Sequence, residues 1–272
     1  YYASTYINGG DYCSIVVKTR EGRPIKVDGN PLSGVTKGGT SAQVEASVLS
    51  LYDNDRLRAP KAAGKNTKWE DLDQAVIAKL NEINAAGGQI RIVSNSIISP
   101  STVAVLEKFK AKYPTTQHIQ YDQNSHYGIL KANEESFGTA MIPSYDFSKA
   151  KTIVSIAADF LNSWVSPIEF TKQYALVRDA GEGQKEIARH YQFESNLSLT
   201  GANADYRAQI KPSEEGAVVV MLYNLIAGLA GKPTTEGGKD VKYLKAAAEE
   251  LWKNRGNALV VAGSNDKSVQ TL

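Results

Sequence analysis

Short β-type segments alternate with amphipathic helical segments along most of this chain, and this order constrains the fold more than any other feature. The alternation begins near Lys61 and continues to the last residues. Strands separated by helices usually return to the sheet in the same direction, and a parallel sheet needs helices on both faces. The predicted strands are residues 89–93, 117–121, 152–156 and 258–261, and a further strand is predicted to begin at His190. The sequence therefore predicts an α/β fold with a mostly parallel sheet and helices on both faces.

Capping signals predict where the intervening helices begin. Thr67 with Glu70, and Ser166 with Glu169, have the spacing of a capping box. Ser99 followed by Pro100 is a typical helix start. Further helices are predicted over residues 127–137, 214–230 and 239–253.

The first 60 residues follow a different pattern, in which short alternating strands are separated by glycine turns. Residues 14–18 and 24–27 flank an Arg-Glu-Gly-Arg turn, which predicts a hairpin. We therefore divide the chain into a small β-rich N-terminal lobe, 1–60, and an α/β region, 61–272. Because Leu272 falls where a further helix begins, we expect this region to be truncated at its C-terminal end and part of a longer polypeptide.

The chain contains one cysteine, Cys13, among 272 residues. One cysteine excludes an internal disulfide, and it excludes a zinc or iron–sulfur site built from this chain's cysteines alone. Free cysteines are commonly buried as small apolar side chains, so we expect Cys13 to be inert. A formal net charge of +2 gives no electrostatic reason to expect a nucleic-acid partner.

Three loops follow predicted strands at the edge where open parallel sheets bind ligands. They contain Asn95, Asp159 and residues 263–266, and none has a dinucleotide fingerprint or a Walker phosphate loop. The histidines have no carboxylate or second histidine at metal-ligand spacing, so we interpret them as hydrogen-bonded core or surface side chains. They are His118, His126 and His190.

An ordered series of motifs resembles the molybdopterin oxidoreductase family. The stretch 13–31, which contains GRPIKVDGNP, is similar to the family's hairpin that ends in Gly-Asn-Pro after a C-x2-C-x3-C group. The blocks SLYDNDRLRAP, WEDLDQA, ESNLSLTGANAD and KPSEE recur in the family's order. The resemblance covers essentially the whole chain and implies the family's fold. In cofactor-bearing members it also implies a cysteine-bound iron–sulfur cluster and a molybdenum cofactor.

The cysteine positions of that motif are degenerate here. Cys13 stands where the third cysteine belongs, so the motif spacing places the first two at Tyr6 and Gly9. The fourth position, after the Lys-Gly-Gly-Thr segment, is Ser41. A single thiolate cannot hold a four-iron cluster. We therefore expect no metal at these positions.

The family's molybdenum ligand corresponds to Ile97 or Ile98, and aliphatic side chains cannot ligate a metal. Ser96 or Ser99 could be proposed as the ligand instead. We prefer Ser99 as a helix cap because Pro100 follows it directly. The resemblance therefore implies no catalytic, cofactor-binding or metal-binding residue in this chain.

Within the family, this combination is similar to the large iron–sulfur subunit of bacterial alternative complex III. That resemblance implies a cofactor-free scaffold region in a quinol-oxidising respiratory complex, peripheral on the periplasmic face of the inner membrane. The implied partners are integral-membrane quinol-binding subunits, heme-c subunits and a terminal oxidase, and no nucleic acid. Iron–sulfur clusters would lie in the C-terminal part of the longer polypeptide.

Two other functions stay open at the level of sequence. The first is an active molybdopterin oxidoreductase that has lost only the N-terminal cluster, with Asn95, Asp159 and Asn196 in contact with the pterin. The second is a nucleotide-binding α/β enzyme that shares only local sequence with the family. Extraction of a pterin would support the first, and nucleotide-dependent thermal protection would support the second.

Overall fold

The computed structural model describes residues 1–8, 11–181 and 186–272, and it confirms the predicted α/β fold class. The chain packs into two compact units, each assembled from separate stretches of sequence. Unit one contains residues 1–10, 15–28 and 41–123, and unit two contains residues 11–14, 29–40 and 124–272. The division predicted near residue 60 stays a prediction. In the described part of the chain, no helix is long and apolar enough to cross a membrane.

The predicted N-terminal hairpin is confirmed. Strands β1 (Tyr2–Asn8), β2 (Asp11–Arg20) and β3 (Arg23–Gly29) form a sheet in that order. Between β2 and β3, Glu21 and Gly22 both have positive φ angles, 51° and 76°. Two consecutive left-handed residues form the two-residue turn whose twist matches that of the flanking strands.

Unit one continues with helices around a two-stranded parallel sheet. Its elements are α1 (Ala42–Ala46), β4 (Lys61–Ala62), β5 (Lys65–Asn66), α2 (Trp69–Ala85), β6 (Ile90–Ser94), α3 (Pro100–Lys112) and β7 (Thr116–Gln120). Strands β6 and β7 pair in parallel with Val93 opposite Ile119. Neither α2 nor α3 has a buried residue, although both fall within the alternating amphipathic segments of the sequence.

Unit two is built on a four-stranded parallel sheet. Its elements are α4 (Tyr127–Phe137), β8 (Thr152–Ile156), α5 (Pro167–Arg178), β9 (Arg189–Glu194), α6 (Leu199–Ala202), β10 (Tyr206–Gln209), α7 (Glu215–Leu229), α8 (Leu244–Lys253), β11 (Ala258–Ala262) and α9 (Lys267–Thr271). The strand order is β10-β9-β8-β11, and every neighbouring pair is parallel.

Helices cover both faces of this sheet, as the alternating pattern predicts. On one face, Val154 and Tyr191 pack in an apolar cluster with Leu222 and Leu251 of the helices α7 and α8. On the other face, Ile153 packs in an aromatic cluster of the segment before β8, the loop after it and α5; its large members are Phe147, Phe160, Trp164, Phe170 and Tyr174. Burial on both faces is typical of parallel sheets and explains why all five residues of β8 are buried.

The predicted capping boxes are wrong in detail. Helix α2 begins at Trp69, and its N-cap is Lys68 rather than Thr67, with no side-chain cap bond. Ser166 is the N-cap of α5 but its hydroxyl makes no cap bond. The Ser99 cap is confirmed, since its Oγ accepts a hydrogen bond from the Thr102 amide at 3.3 Å.

The helix predicted to begin at residue 239 begins instead at Leu244. Tyr243 has a φ of 71°, and a left-handed residue cannot lie within a right-handed helix. The start of α8 is therefore fixed by backbone conformation and not by the apolar pattern.

Candidate functional site

The carboxyl ends of the parallel strands in unit two meet at one edge of their sheet, the usual ligand-binding edge of open α/β sheets. We call the loops 157–166, 195–198 and 263–266 the carboxyl edge. The backbone is crowded here, because a Cβ on Gly263 would lie 2.1 Å from the carbonyl oxygen of Ala157. Ala157 itself has a φ of 56°. A left-handed residue with a side chain is strained, and such strain is found mainly at binding and active sites.

Asp159 lies in the loop after β8, where the sequence predicts a site residue. Its carboxylate accepts hydrogen bonds from the Thr200 amide at 3.1 Å and the Thr200 hydroxyl at 2.7 Å. The Asn162 amide group donates a third bond at 3.1 Å. These bonds tie the loop after β8 to helix α6, so Asp159 stabilises the edge and its acceptor atoms are engaged by protein donors.

The other predicted edge residues differ in their surroundings. Asn196 follows β9, next to β8 in the sheet, and its side chain is exposed. Asn265 follows β11, and its side-chain oxygen accepts a hydrogen bond from the Gly128 amide at 2.8 Å. Asn95 belongs to unit one, where it is exposed. The structure therefore brings Asp159 and Asn196 to the same edge and assigns Asn95 to a separate unit.

Glu194 lies at the end of β9 and was not predicted as a site residue. Its carboxylate accepts more hydrogen bonds than that of Asp159, which was predicted. Glu194 is 4% exposed, and its carboxylate accepts hydrogen bonds from Arg207 Nε at 2.6 Å and from the Ser198 amide at 3.1 Å. The Ser198 hydroxyl and the Gln192 amide donate two more. Burial raises the pKa of Glu194, but the bonds from Arg207 and Ser198 outweigh it and keep the pKa below the ordinary value.

Gly201 explains the glycine in the ESNLSLTGANAD block. A Cβ at this position would lie 1.9 Å from Glu194 Oε1. The first turn of α6 can therefore approach the buried carboxylate only if this residue has no side chain. The glycine of this block is therefore required for packing around Glu194.

A line of buried polar side chains runs along one face of β9. His190, Gln192 and Glu194 alternate with the apolar residues Tyr191 and Phe193. Both faces of the strand are buried. The His190 Nε2 atom lies 3.3 Å from Gln192 Oε1, and Gln192 Nε2 donates to Glu194 Oε2 at 3.1 Å. We call these three residues the polar file.

The polar file ends at Tyr174 of α5. The Tyr174 hydroxyl lies 3.2 Å from His190 Nδ1 and 3.0 Å from the carbonyl oxygen of Asn203. Because Gln192 Oε1 can only accept, the neutral histidine donates from Nε2, and the single Tyr174 hydroxyl proton is shared between two acceptors, His190 Nδ1 and the Asn203 carbonyl oxygen. Tyr174 also lines a cleft of about 580 Å³ between α5 and α6. The file therefore links this cleft to the carboxyl edge.

Burial is the largest influence on the pKa values of His190 and Tyr174. It lowers the pKa of His190 to about 4, because a charged imidazole would lose its hydration inside the core. Burial raises the pKa of Tyr174 to about 12 for the same reason. Both groups are neutral at pH 7, which agrees with the interpretation of His190 as a hydrogen-bonded core side chain.

Acidification should destabilise the fold through His190. The unfolded chain binds a proton at this residue near pH 6.5 and the folded chain near pH 4, so stability is lost as the pH falls through that window. Between pH 7 and pH 5 the free energy of unfolding should fall by about 2 kcal/mol from this group. Urea denaturation at both pH values measures how much the free energy of unfolding falls. The variant His190→Gln should lose the part of this fall that comes from His190. An unchanged fall in the variant would contradict the assignment.

Cys13 lies in unit two, against the loop that contains the Gly-Asn-Pro motif. Its side chain is fully buried, and Sγ lies 3.4 Å from the carbonyl oxygen of Gly39. Burial raises the pKa of the thiol more than the neighbouring Thr40 hydroxyl lowers it. A Cβ on Gly29 would lie 2.3 Å from the Gly38 carbonyl oxygen, so the motif glycine is needed for this close packing.

The other cluster positions do not supply thiolate or imidazole ligands. Tyr6 lies in β1, and Ser41 is the N-cap of α1, where its Oγ accepts from the Val44 amide at 3.3 Å. Gly9 lies outside the described residues. In residues 1–8, 11–181 and 186–272, no group of three or more His, Cys, Asp or Glu side chains could hold a metal ion. The donor set at these positions does not fit a thiolate-bound iron–sulfur cluster.

Cys13 should react with thiol reagents only when the protein unfolds. Its thiol is buried and protonated at neutral pH, whereas the thiolate is the reactive form. A maleimide added to the native protein should leave it unlabelled, and the same reagent in denaturant should label it fully. Rapid labelling in the native state would contradict the packing role.

The predicted molybdenum-ligand position also lacks a ligand. The Ile97 amide donates to Gln120 Oε1 at 3.1 Å, and Ile98 is exposed. The Ser96 hydroxyl donates to Asp122 Oδ2 at 2.5 Å, and Ser99 caps α3. The two aliphatic side chains do not fit a metal, and both neighbouring hydroxyls have structural hydrogen bonds.

Comparison with known proteins finds similarity to subunits whose names refer to molybdopterin. The menaquinone reductase molybdopterin-binding-like subunit of Nitratidesulfovibrio vulgaris is 25% identical over 91% of this chain. The arsenate respiratory reductase molybdopterin-containing subunit ArrA of Shewanella sp. strain ANA-3 is 22% identical over 82% of it. By sequence, the chain is similar to subunits of molybdopterin oxidoreductases. Both similarities support a subunit of the molybdopterin oxidoreductase type. No protein-family model matches the chain.

The molybdopterin oxidoreductase fold is also found by structural comparison. Acetylene hydratase from Pelobacter acetylenicus superposes with a TM-score of 0.55 over 95% of this chain, at 14% sequence identity. The chain spans 38% and 27% of the length of the two relatives above, and 37% of the hydratase. What is matched is therefore a third or so of each larger protein.

Proposed function

We propose that this chain is a cofactor-free scaffold region of the iron–sulfur subunit of a quinol-oxidising respiratory complex of the alternative complex III type. In this proposal it is peripheral on the periplasmic face of the inner membrane. It contacts quinol-binding membrane subunits, heme-c subunits and a terminal oxidase, and clusters elsewhere in the polypeptide carry the electrons.

The observation that carries the proposal is the state of Cys13. The only cysteine at the cluster positions is buried, protonated and hydrogen-bonded to a backbone carbonyl, so it has a packing role. The name of one relative, a molybdopterin-binding-like subunit of a menaquinone reductase, describes a quinone-linked protein of similar sequence. Both points support a redox scaffold.

The carboxyl edge supports the same role physically. Asp159 and Glu194 accept most of their hydrogen bonds from Thr200, Ser198 and Arg207 of the same unit. An edge whose carboxylates are satisfied internally keeps its shape without a ligand. A rigid surface of this kind can position neighbouring subunits.

Iron and pterin analysis of the purified complex tests the proposal. A proteolytic fragment limited to residues 1–272 should carry no stoichiometric iron, acid-labile sulfide or molybdenum, while the rest of the polypeptide and the heme-c subunits account for the iron of the complex. A cluster that requires Cys13, shown by iron loss in Cys13→Ala, would overturn it. Cys13→Ser is the milder control for packing damage.

The alternative is an active molybdopterin oxidoreductase that lacks only the N-terminal cluster. One observation favours it: Asn196, which follows β9 at the carboxyl edge, is exposed. This alternative predicts an oxidised pterin that fluoresces after acid extraction of the native protein. Absence of that fluorescence, with a molybdoenzyme extracted in parallel as the positive control, would exclude it.

A further inference from the structure

One face of the parallel sheet in unit one is uncovered. Side chains of successive strand residues alternate between the two faces, so the register of β6 and β7 places Val93 beside Ile119 on the same face. These side chains are 66% and 45% exposed, and Tyr121, which continues that face, is 75% exposed. We call Val93, Ile119 and Tyr121 the apolar face.

The opposite side of this sheet behaves differently. Ile90 and Thr116, which face the other way, are buried. In unit two, by contrast, all five residues of β8 are buried on both faces of the sheet. Parallel sheets occur almost only with both faces covered, so an exposed apolar face on one of them indicates an absent layer.

Arg91 indicates the charge of that layer. It lies on the same face as Val93, two residues earlier in β6, and it is exposed. Its guanidinium donates to the Ile90 and Thr115 carbonyl oxygens and to Gln89 Oε1, all of which are neutral. A carboxylate on the covering element would give this guanidinium a counter-charge.

The relatives indicate where such an element can come from. They match 91% and 82% of this chain, but these matches occupy only 38% and 27% of their own lengths. Most of each relative is therefore polypeptide with no counterpart among these 272 residues. If this chain continues in the same way, a helix from the additional polypeptide would be covalently linked to the sheet. The link raises the effective concentration of the helix at the exposed face.

We propose that the apolar face is a docking surface for an amphipathic helix from polypeptide of the same chain outside these 272 residues. The helix places an apolar stripe on Val93, Ile119 and Tyr121 and a carboxylate near Arg91. This inference does not depend on the presence or absence of a cofactor.

Cysteine protection in the full-length gene product tests the proposal. Val93→Cys introduces a thiol on the apolar face, and Val105→Cys, on α3, is the matched control because Val105 is 64% exposed. Peptide mass spectrometry separates these sites from Cys13 and from any other cysteine. If the helix docks, maleimide labelling at position 93 should be about tenfold or more slower than at position 105, because labelling then requires local opening.

Three other labelling results would overturn the proposal. Equal labelling rates at the two positions would overturn the proposal, as would a gene product without further residues. Protection that disappears on dilution would assign the face to a second copy, and protection that disappears when companion subunits are removed would assign it to one of them. Loss of protection under either condition would overturn the proposal that a helix of the same chain covers the face. Arg91→Ala should accelerate labelling at position 93 and leave position 105 unchanged.

Discussion

Replacing Gly263 by alanine is expected to lower the free energy of unfolding by about 3 kcal/mol. The added Cβ would lie 2.1 Å from the carbonyl oxygen and 2.5 Å from the carbonyl carbon of Ala157, and both are backbone atoms. The two loops cannot separate easily, because the Gly263 amide donates to the Ile156 carbonyl oxygen at 2.8 Å. Urea denaturation of the variant and the parent protein measures the loss.

Gly228→Ala is the matched control for this substitution. Gly228 lies within α7, and a Cβ there would meet no atom within 4 Å. Alanine is favoured over glycine inside a helix, so this variant should gain about 0.5–1 kcal/mol. If both variants change stability by similar small amounts, the close approach at the carboxyl edge does not constrain the fold.

Glu194→Ala should cost about 3 kcal/mol of stability, a value that allows for the partial exposure of its partner Arg207. The change removes a buried carboxylate and leaves donors of Ser198, Gln192 and Arg207 without their acceptor. Buried donors that lose a partner carry the full desolvation penalty. Thermal or urea denaturation at pH 7 measures the effect.

A double-mutant cycle separates the ion pair from the rest of this network. Arg207→Ala alone leaves the Ser198 and Gln192 bonds to Glu194 in place, and its side chain is 27% exposed. If the pair is coupled, the double variant should be more stable than the sum of the two single losses predicts. Strict additivity would mean that Arg207 and Glu194 act independently.

The arrangement of strands and helices was predictable because the local signals agree with the tertiary packing. Strand 152–156 is a run rich in β-branched residues, and the structure buries all of it as β8. Strand β10 was not predicted, because it has only four residues and lies at the sheet edge, where its pattern is weakly apolar. Helices α2 and α3 are predicted from local signals, and local signals do not show whether a partner layer is present.

The candidate site was predictable only in part. Asp159 follows a strand, and that position alone predicted its place at the carboxyl edge. The polar file was missed, because His190, Gln192 and Glu194 alternate with Tyr191 and Phe193 as in a strand with one solvated face. The signal that could have identified it is the parallel-sheet assignment itself, which makes both faces of β9 internal and every polar residue there an exception.

The route of the chain through its two units has a consequence for how the protein can be dissected. Unit two includes residues 11–14 and 29–40 together with everything from 124 onward. A deletion of the first 60 residues would therefore remove Cys13 and Gly39 from the packing of unit two, and no single cut yields either unit whole. Folding of unit two must also join segments far apart in sequence, which predicts slow refolding. Expression trials should keep the N-terminal lobe even when only the four-stranded sheet is wanted.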